Sequence, residues 1–510
     1  MSQRFNDVIR NLRSTRVTLT TAASRRRAFG WRHALLPDRI APLAAALTVG
    51  LLGMGLVYGA SLARIGAAAR AMERGEVRDL NAIRRADDLM PALAKIFDHP
   101  ADRAFAAERI LAALPAGNGP VRSHVGALGL IRVPAAPLAA RRDLESYRAR
   151  AAAVVDRGAE ASTATLPLLT SDQLRELKPA FVVRSPGRFH LAFLAHVLLF
   201  VAACVAMHVV AHVRGRLGDP LLLPAAQLLA CLGFVALVSL RDPLRDQMLF
   251  ARFAQGMALG AVAFAGASWI AYERSGLRRL SLIPLLGALA LSAALVVFGQ
   301  GPSGSDAKVN LLGIQPIEVI RLLLVLFLAG WFAQRWQLLR ELHEPRLESP
   351  WLRLLRLPRR QHALPVLIGV AAAVAFFFLQ RDLGPALVVL ALFLCLYAVS
   401  RRGVAFAAVG LGAIVLAFVV AHAIGYPATV SLRTAMWLSP WENGLLRGDQ
   451  VAHALWGFAA GGASGTGIGL GLPALVPAAH TDLILATVGE ELGLIGVIGC
   501  CALFAVLVVR

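Results

Sequence analysis

The chain has 510 residues, 57% hydrophobic and only 16% charged, a balance that excludes an ordinary soluble globular protein. Its formal net charge of +21 is carried by short clusters between apolar runs, as in Arg25-Arg26-Arg27, Arg278-Arg279, Arg359-Arg360 and Arg401-Arg402. That is the pattern of cytoplasmic loops rather than of a nucleic-acid surface. Cys204, Cys231, Cys395, Cys500 and Cys501 all lie inside apolar runs, which indicates no disulfide framework.

Residues 1–41 read as a basic cytoplasmic tail and 42–66 as a first transmembrane helix that is retained rather than cleaved. Residues 67–189 break the membrane pattern. There Leu80, Ile83, Leu89, Leu93 and Ile96 recur at helical spacing among charges, with Pro91 splitting the stretch. Pro100 reads as a helix start, and Thr170 with Gln173 has the spacing of a capping box. The segment is expected to be a small, mostly helical module in water.

A second span follows at 190–213, and further apolar runs lie near 220–240, 252–272, 280–298, 317–334, 364–379, 384–400, 404–424 and 484–509. Many approach the roughly 20 residues needed to cross a bilayer. The predicted fold is therefore all-α, a polytopic membrane helix bundle of about ten spans. With the tail inside, counting across places Arg214-Gly215-Arg216, Arg278-Arg279, 336–363 and Arg401-Arg402 inside; 67–189, 299–316 and 425–483 fall outside. The last of these is a large outer loop, long enough to carry function. Its apolar stretch 451–470 reads as a re-entrant or interfacial helix, and its glycine run 461–471 as a site of tight helix packing or a bend rather than a nucleotide loop.

Ionisable groups in or beside spans are costly, which makes Glu318 with Arg321, Arg381 with Asp382, Asp482, and Glu490-Glu491 the candidates for chemistry. Each also has a structural reading. Glu318 and Arg321 are spaced to neutralise each other, Arg381 and Asp382 to sit at the outer interface, and Asp482 to cap the helix beginning near Leu483.

Several stretches together resemble the SEDS family, the FtsW/RodA/SpoVE group. They are Arg433, Ser439-Pro440-Trp441-Glu442-Asn443, Gly448, Gln450, Gly465-Thr466-Gly467-Ile468-Gly469, and Pro477-Ala478-Ala479-His480-Thr481-Asp482 through Gly489-Glu490-Glu491-Leu492-Gly493. Gln315-Pro316-Ile317-Glu318 with Arg321, and Gln380-Arg381-Asp382-Leu383-Gly384, agree with two earlier family motifs. The likeness runs from about 220 to 510. Departures are Arg381 for a proline, Pro385 for a threonine, Asp449 for an aromatic residue, His453 for a glutamine and Asn443 for an aspartate.

The resemblance implies a peptidoglycan glycosyltransferase of the bacterial cytoplasmic membrane that polymerises lipid II at the outer face, for cell shape or division. It implies Asp482 as the catalytic residue and Arg433, His480, Thr481, Gln450, Glu318 and Asp382 as substrate contacts. The partner it implies is a class B penicillin-binding protein, a transpeptidase. No cofactor is certain, and a divalent cation, Mg2+ or Mn2+, is the candidate. A flippase for the lipid-linked precursor and a non-catalytic scaffold for the transpeptidase are the alternatives. Family members carry two more spans after the one holding Glu490 and Glu491, so the bundle is expected to lack two family helices.

Overall fold

The computed structural model describes residues 37–114, 124–155, 164–215, 218–270, 282–301, 308, 310–311, 315–341, 360–401, 404–426, 428–443 and 448–510. The arginine clusters Arg25–Arg27 and Arg278-Arg279, with Arg216, Arg359, Arg402 and most of 336–363, lie outside the described residues.

The ten apolar runs form ten helices, because a backbone crossing a bilayer must satisfy its hydrogen bonds within itself. They are α1 (Pro37–Glu73), α2 (Pro186–Val213), α3 (Leu222–Ser239), α4 (Leu249–Trp269), α5 (Leu282–Phe298), α6 (Ile317–Glu341), α7 (Arg360–Leu379), α8 (Leu383–Arg401), α9 (Ala405–Ile424) and, after two shorter helices α10 (Ala428–Leu438) and α11 (Asp449–Gly461), α12 (Ile484–Val509). Eight are long and apolar enough to cross a membrane; Leu282–Phe298 and the apolar part of α7, Leu364–Leu379, are shorter. Leu52, Leu191, Leu259, Leu322 and Ile495 stay exposed on these helices, as expected of faces turned to lipid. The protein is an all-α polytopic membrane bundle.

The described chain forms two compact units. The first holds α1–α4, the module between α1 and α2, and α11–α12. Its membrane core is aromatic: Phe193 and Phe250 pack with ring centroids 5.8 Å apart, and Phe234 meets Phe250 at 5.7 Å. The unit carries its own sidedness. Arg510, at the end of α12, pairs with Asp219 between α2 and α3 at 3.2 Å, which puts both on one side.

Helix α1 continues to Glu73, beyond the expected end near residue 66. The module that follows has its own apolar core, with Leu80, Leu89, Leu93, Ile110, Leu128, Tyr147 and Phe181 nearly or fully buried. Helix Pro100–Ala112 starts at its proline. Thr170 and Gln173 form a reciprocal capping box, Gln173 N donating to Thr170 Oγ1 at 3.2 Å and Thr170 N to Gln173 Oε1 at 3.0 Å. Two small sheets not expected from the helical spacing complete it: β1 (Arg78–Asp79) with β4 (Phe181–Val182), parallel, and β2 (Arg132–Pro134) with β3 (Thr165–Pro167), antiparallel. The strands are two or three residues long, too short to show a period-2 pattern.

The second unit holds α5–α10 around Phe327, Trp331, Phe377, Phe393 and Tyr397. At one end of it, Gln300 and Asn310 pair as an isolated bridge, and Lys308 N donates to Gln380 O at 3.0 Å. The segment between α5 and α6 and the turn between α7 and α8 therefore share one face, the parity the arginine distribution predicted.

Candidate active site

In the first unit the site is built on a backbone seam. Helix α12 is broken at Gly493, whose φ is 65°. Around this break the glycine-rich loop after α11 pairs with α12: Thr466 N donates to Glu490 O at 2.9 Å, Gly467 N to Glu491 O at 3.1 Å, and Leu494 N to Gly462 O at 2.9 Å. Only glycine permits this approach. A Cβ on Gly461 would strike Gly489 O, and one on Gly465, whose φ is 85°, would strike Glu491 O. The glycine run is thus a packing and bending device.

The seam holds Glu490 and Glu491 buried. Glu490 Oε1 accepts from Leu472 N at 2.6 Å, and Glu491 accepts the hydroxyl of Ser239 at the end of α3. Arg64 on α1 closes the cluster, donating to Gly469 O at 2.6 Å and Ser239 O at 2.9 Å. Buried carboxylates survive only when so engaged. The family motif named Glu490 and Glu491; Arg64 and Ser239 carried no motif and were missed, although an arginine within the apolar run of α1 was a usable signal. Beside this cluster runs an apolar groove of about 280 Å³ lined by Gly50 and Gly53 of α1, Cys231 and Val235 of α3, and Thr487 and Glu491 of α12.

The signature turn lies directly ahead of α12. Ala478 takes a left-handed φ of 57°, and its carbonyl accepts from Thr481 N at 3.0 Å and Leu483 N at 3.3 Å. Val476 and Ala479 are buried beneath the turn, while His480, Thr481 and Asp482 face outward. The residue capping α12 is Leu483, with no side-chain cap bond, so Asp482 does not serve as the helix cap. Its carboxylate is exposed and has no hydrogen-bond or ion-pair partner among the described residues. Burial, and then the charge of Arg241, push the His480 imidazole below its ordinary value, with Asp482 opposing them. The shift favours the neutral imidazole, which makes His480 a poor source of positive charge there.

Gln450 sits half-buried in the first turn of α11, where His453 Nδ1 contacts Asp449 O at 2.7 Å. The other expected contacts belong to the second unit. Arg433 is exposed on α10. Glu318 is ion-paired with Arg321 at 2.6 Å, the neutralising arrangement their spacing allowed. Asp382 follows Arg381, whose φ is 58°, in the turn between α7 and α8; its backbone N donates to Phe377 O at 3.0 Å. The structure therefore brings His480, Thr481 and Asp482 onto one turn, and within the second unit it pairs Glu318 with Arg321. The donor set does not fit a protein-built Mg2+ or Mn2+ cage, since among the described residues no three His, Cys, Asp or Glu side chains converge.

Eight helices long and apolar enough to cross a bilayer define a multi-pass membrane protein, and its last helix, seamed to a glycine loop, carries an outward carboxylate just ahead of it. The family model for Cell cycle protein, FtsW/RodA/SpoVE, matches residues 220–510, and the chain belongs to that family of the bacterial inner membrane. It is 28% identical over 391 residues to the peptidoglycan glycosyltransferase RodA of Mycobacterium leprae, covering 73% of this chain and 76% of that protein. That coverage exceeds residues 220–510, so the likeness reaches into the segment ahead of α3. It is 30% identical over 312 residues to RodA of Mycobacterium bovis, covering 57% of this chain and 63% of that one. It is 32% identical over 274 residues to a probable peptidoglycan glycosyltransferase FtsW of Halorhodospira halophila, with 52% and 62% covered. No solved structure matches the chain.

Proposed function

We propose that this chain is a peptidoglycan glycosyltransferase that polymerises lipid II, with Asp482 as its general base. The observation that carries the reading is the Asp482 carboxylate, held outward on the signature turn with neither a cap bond nor an ion pair to occupy it. In the reaction the sugar hydroxyl of one lipid-linked disaccharide attacks the anomeric carbon of another. The new glycosidic bond forms, the bond to the pyrophosphate breaks, and undecaprenyl pyrophosphate leaves. Asp482 takes the hydroxyl proton in the transition state, where a positioned carboxylate has most effect. Thr481 and His480 flank it on the turn, and Gln450 of the same unit is a further contact of the substrate; for Arg433 and Asp382 the support is the family resemblance alone. The groove beside Glu491 is apolar and suits a polyprenyl chain.

The test is the purified full chain given lipid II in detergent or nanodiscs, with glycan strands resolved on a gel. Strand growth is expected. Lipid transport across vesicles without strands would move the assignment to a flippase. A class B penicillin-binding protein is the proposed partner, supported by the family likeness; stimulation of strand growth by such a transpeptidase, and its co-purification with this chain, are the expected results.

A further inference from the structure

The nine residues joining α3 to α4 have a division of labour that points to a substrate contact outside every motif in the sequence. The segment leaves α3 at Ser239, which is bonded to Glu491, and Leu240 and Leu244 are buried with Val476 and Ala479. The loop thus shares the buried core that underlies the signature turn. On its other side the module grips it by its backbone: Val183 N donates to Leu244 O at 3.0 Å, and Val125 N to Arg245 O at 2.8 Å. Arg184 Nη1 donates to Pro243 O at 2.6 Å.

The loop's side chains reinforce this grip. Asp246 pairs with Lys178 of the module at 2.7 Å. Arg245 donates to Phe181 O at 3.1 Å and to Pro179 O at 3.1 Å, while pairing with Asp242 at 2.8 Å. Asp242 Oδ1 in turn accepts from Leu244 N at 2.9 Å and Arg245 N at 3.0 Å. Three of the four charged side chains are therefore spent on holding the loop.

Arg241 is the fourth, and it holds nothing. Among the described residues its guanidinium makes no hydrogen bond or ion pair, and its Nε is buried without a partner. A dry, unpaired guanidinium nitrogen is costly unless something else completes it. Its charge depresses the histidines on either side, His480 of the signature turn and His124 of the module, in both cases behind the larger effect of burial; at His124 the nearby Asp246 opposes the shift. Arg241 thus stands near both histidines with an empty fork of donors. Such a fork fits two oxygens of a phosphate chain.

We propose that Arg241 receives the pyrophosphate of the lipid-linked substrate, and that the module sets its position by gripping the loop that carries it. This rests on the glycosyltransferase reading for the substrate's identity. A guanidinium there stabilises the negative charge that grows on the leaving pyrophosphate as its bond to the sugar breaks.

The experiment measures binding of undecaprenyl pyrophosphate and undecaprenyl monophosphate to the purified full chain, and strand growth from lipid II in parallel. Arg241→Gln is expected to weaken pyrophosphate binding at least tenfold with little change for the monophosphate, to raise the KM for lipid II, and to melt with wild type. Arg241→Lys is expected to recover part of the loss. Asp246→Asn, which loosens the module's grip and leaves Arg241 in place, is expected to weaken pyrophosphate binding severalfold. Wild-type affinity in Arg241→Gln, or equal weakening for both lipids, overturns the assignment; wild-type affinity in Asp246→Asn overturns the module's part. Should Arg241→Gln fail to fold, Arg241→Lys decides: an affinity ratio between the two lipids unchanged from wild type overturns the assignment. A chain that makes no strands but shows the selective loss keeps Arg241 as a pyrophosphate contact and removes the polymerase reading.

Discussion

Asp482 has an environment that separates two roles often confused at a helix start. Leu483 occupies the capping position without a side-chain bond. Replacing Asp482 by Asn or by Ala is therefore expected to leave stability unchanged, whereas a true cap replaced by Ala would cost about 1 kcal/mol. Asp482→Asn is expected to slow strand growth by a factor on the order of 10² to 10⁴, the usual worth of a general base. Strand growth at the wild-type rate from the Asn variant would remove Asp482 from the chemistry. At this scale the sequence was informative where a motif existed. His480, Thr481, Asp482, Glu490 and Glu491 could be singled out because the family pattern carries them. Ser239 and Arg241 could not, because what distinguishes them is who their neighbours are across more than two hundred residues of chain, and in the case of Arg241 the neighbour it lacks; Arg64 offered only its place in an apolar run.

Among the elements, the seam between α12 and its glycine loop is the most constrained by backbone geometry. Gly465→Ala would place a Cβ against Glu491 O and force a left-handed φ on an alanine. Overpacking and backbone strain together are expected to cost roughly 2–5 kcal/mol. A fall in melting temperature with loss of strand growth is the predicted readout, while Gly218→Ala, with nothing within 4 Å of its added Cβ, should match wild type. An unchanged melting temperature for Gly465→Ala would show that the seam is not rigid. The capping box at Thr170 was legible because it is written in four consecutive residues. The break at Gly493 was not, because a glycine in an apolar run looks the same whether the helix continues or parts there, and only the partner loop decides.

For the whole molecule, the apolar runs and arginine clusters made the membrane class and the parity of the spans readable from sequence. They could not show that α1 is part of the site, because its family motif content is nil and its role is to carry one arginine to the seam. Removing residues 37–213 preserves parity and leaves the whole stretch that resembles the family, about 220 to 510. With Arg64 gone and α3 stripped of α1, that variant is expected to lose activity entirely; strand growth at a tenth of the wild-type rate or better would refute this. Topology has its own test, in a background with Cys395 and Cys501 replaced by serine. Cysteines at Glu108 and Glu442, both exposed, are expected to react with an impermeant thiol reagent in intact spheroplasts, and one at Gly218 is expected not to. Labelling at Gly218 alone would invert the bundle.

The grip of the module on the loop after α3 also bears on how the protein can be inhibited. Its contacts are Val183 to Leu244, Val125 to Arg245 and Lys178 to Asp246, and the topology expected from the arginine distribution puts them on the water side of the outer leaflet. Two of the three are main-chain bonds, which a short extended peptidomimetic can compete for by offering the same donors. Such a compound needs no passage through the lipid bilayer and no resemblance to a sugar or to a β-lactam. Resistance by side-chain substitution would be hard to reach, because the atoms it competes for belong to the backbone.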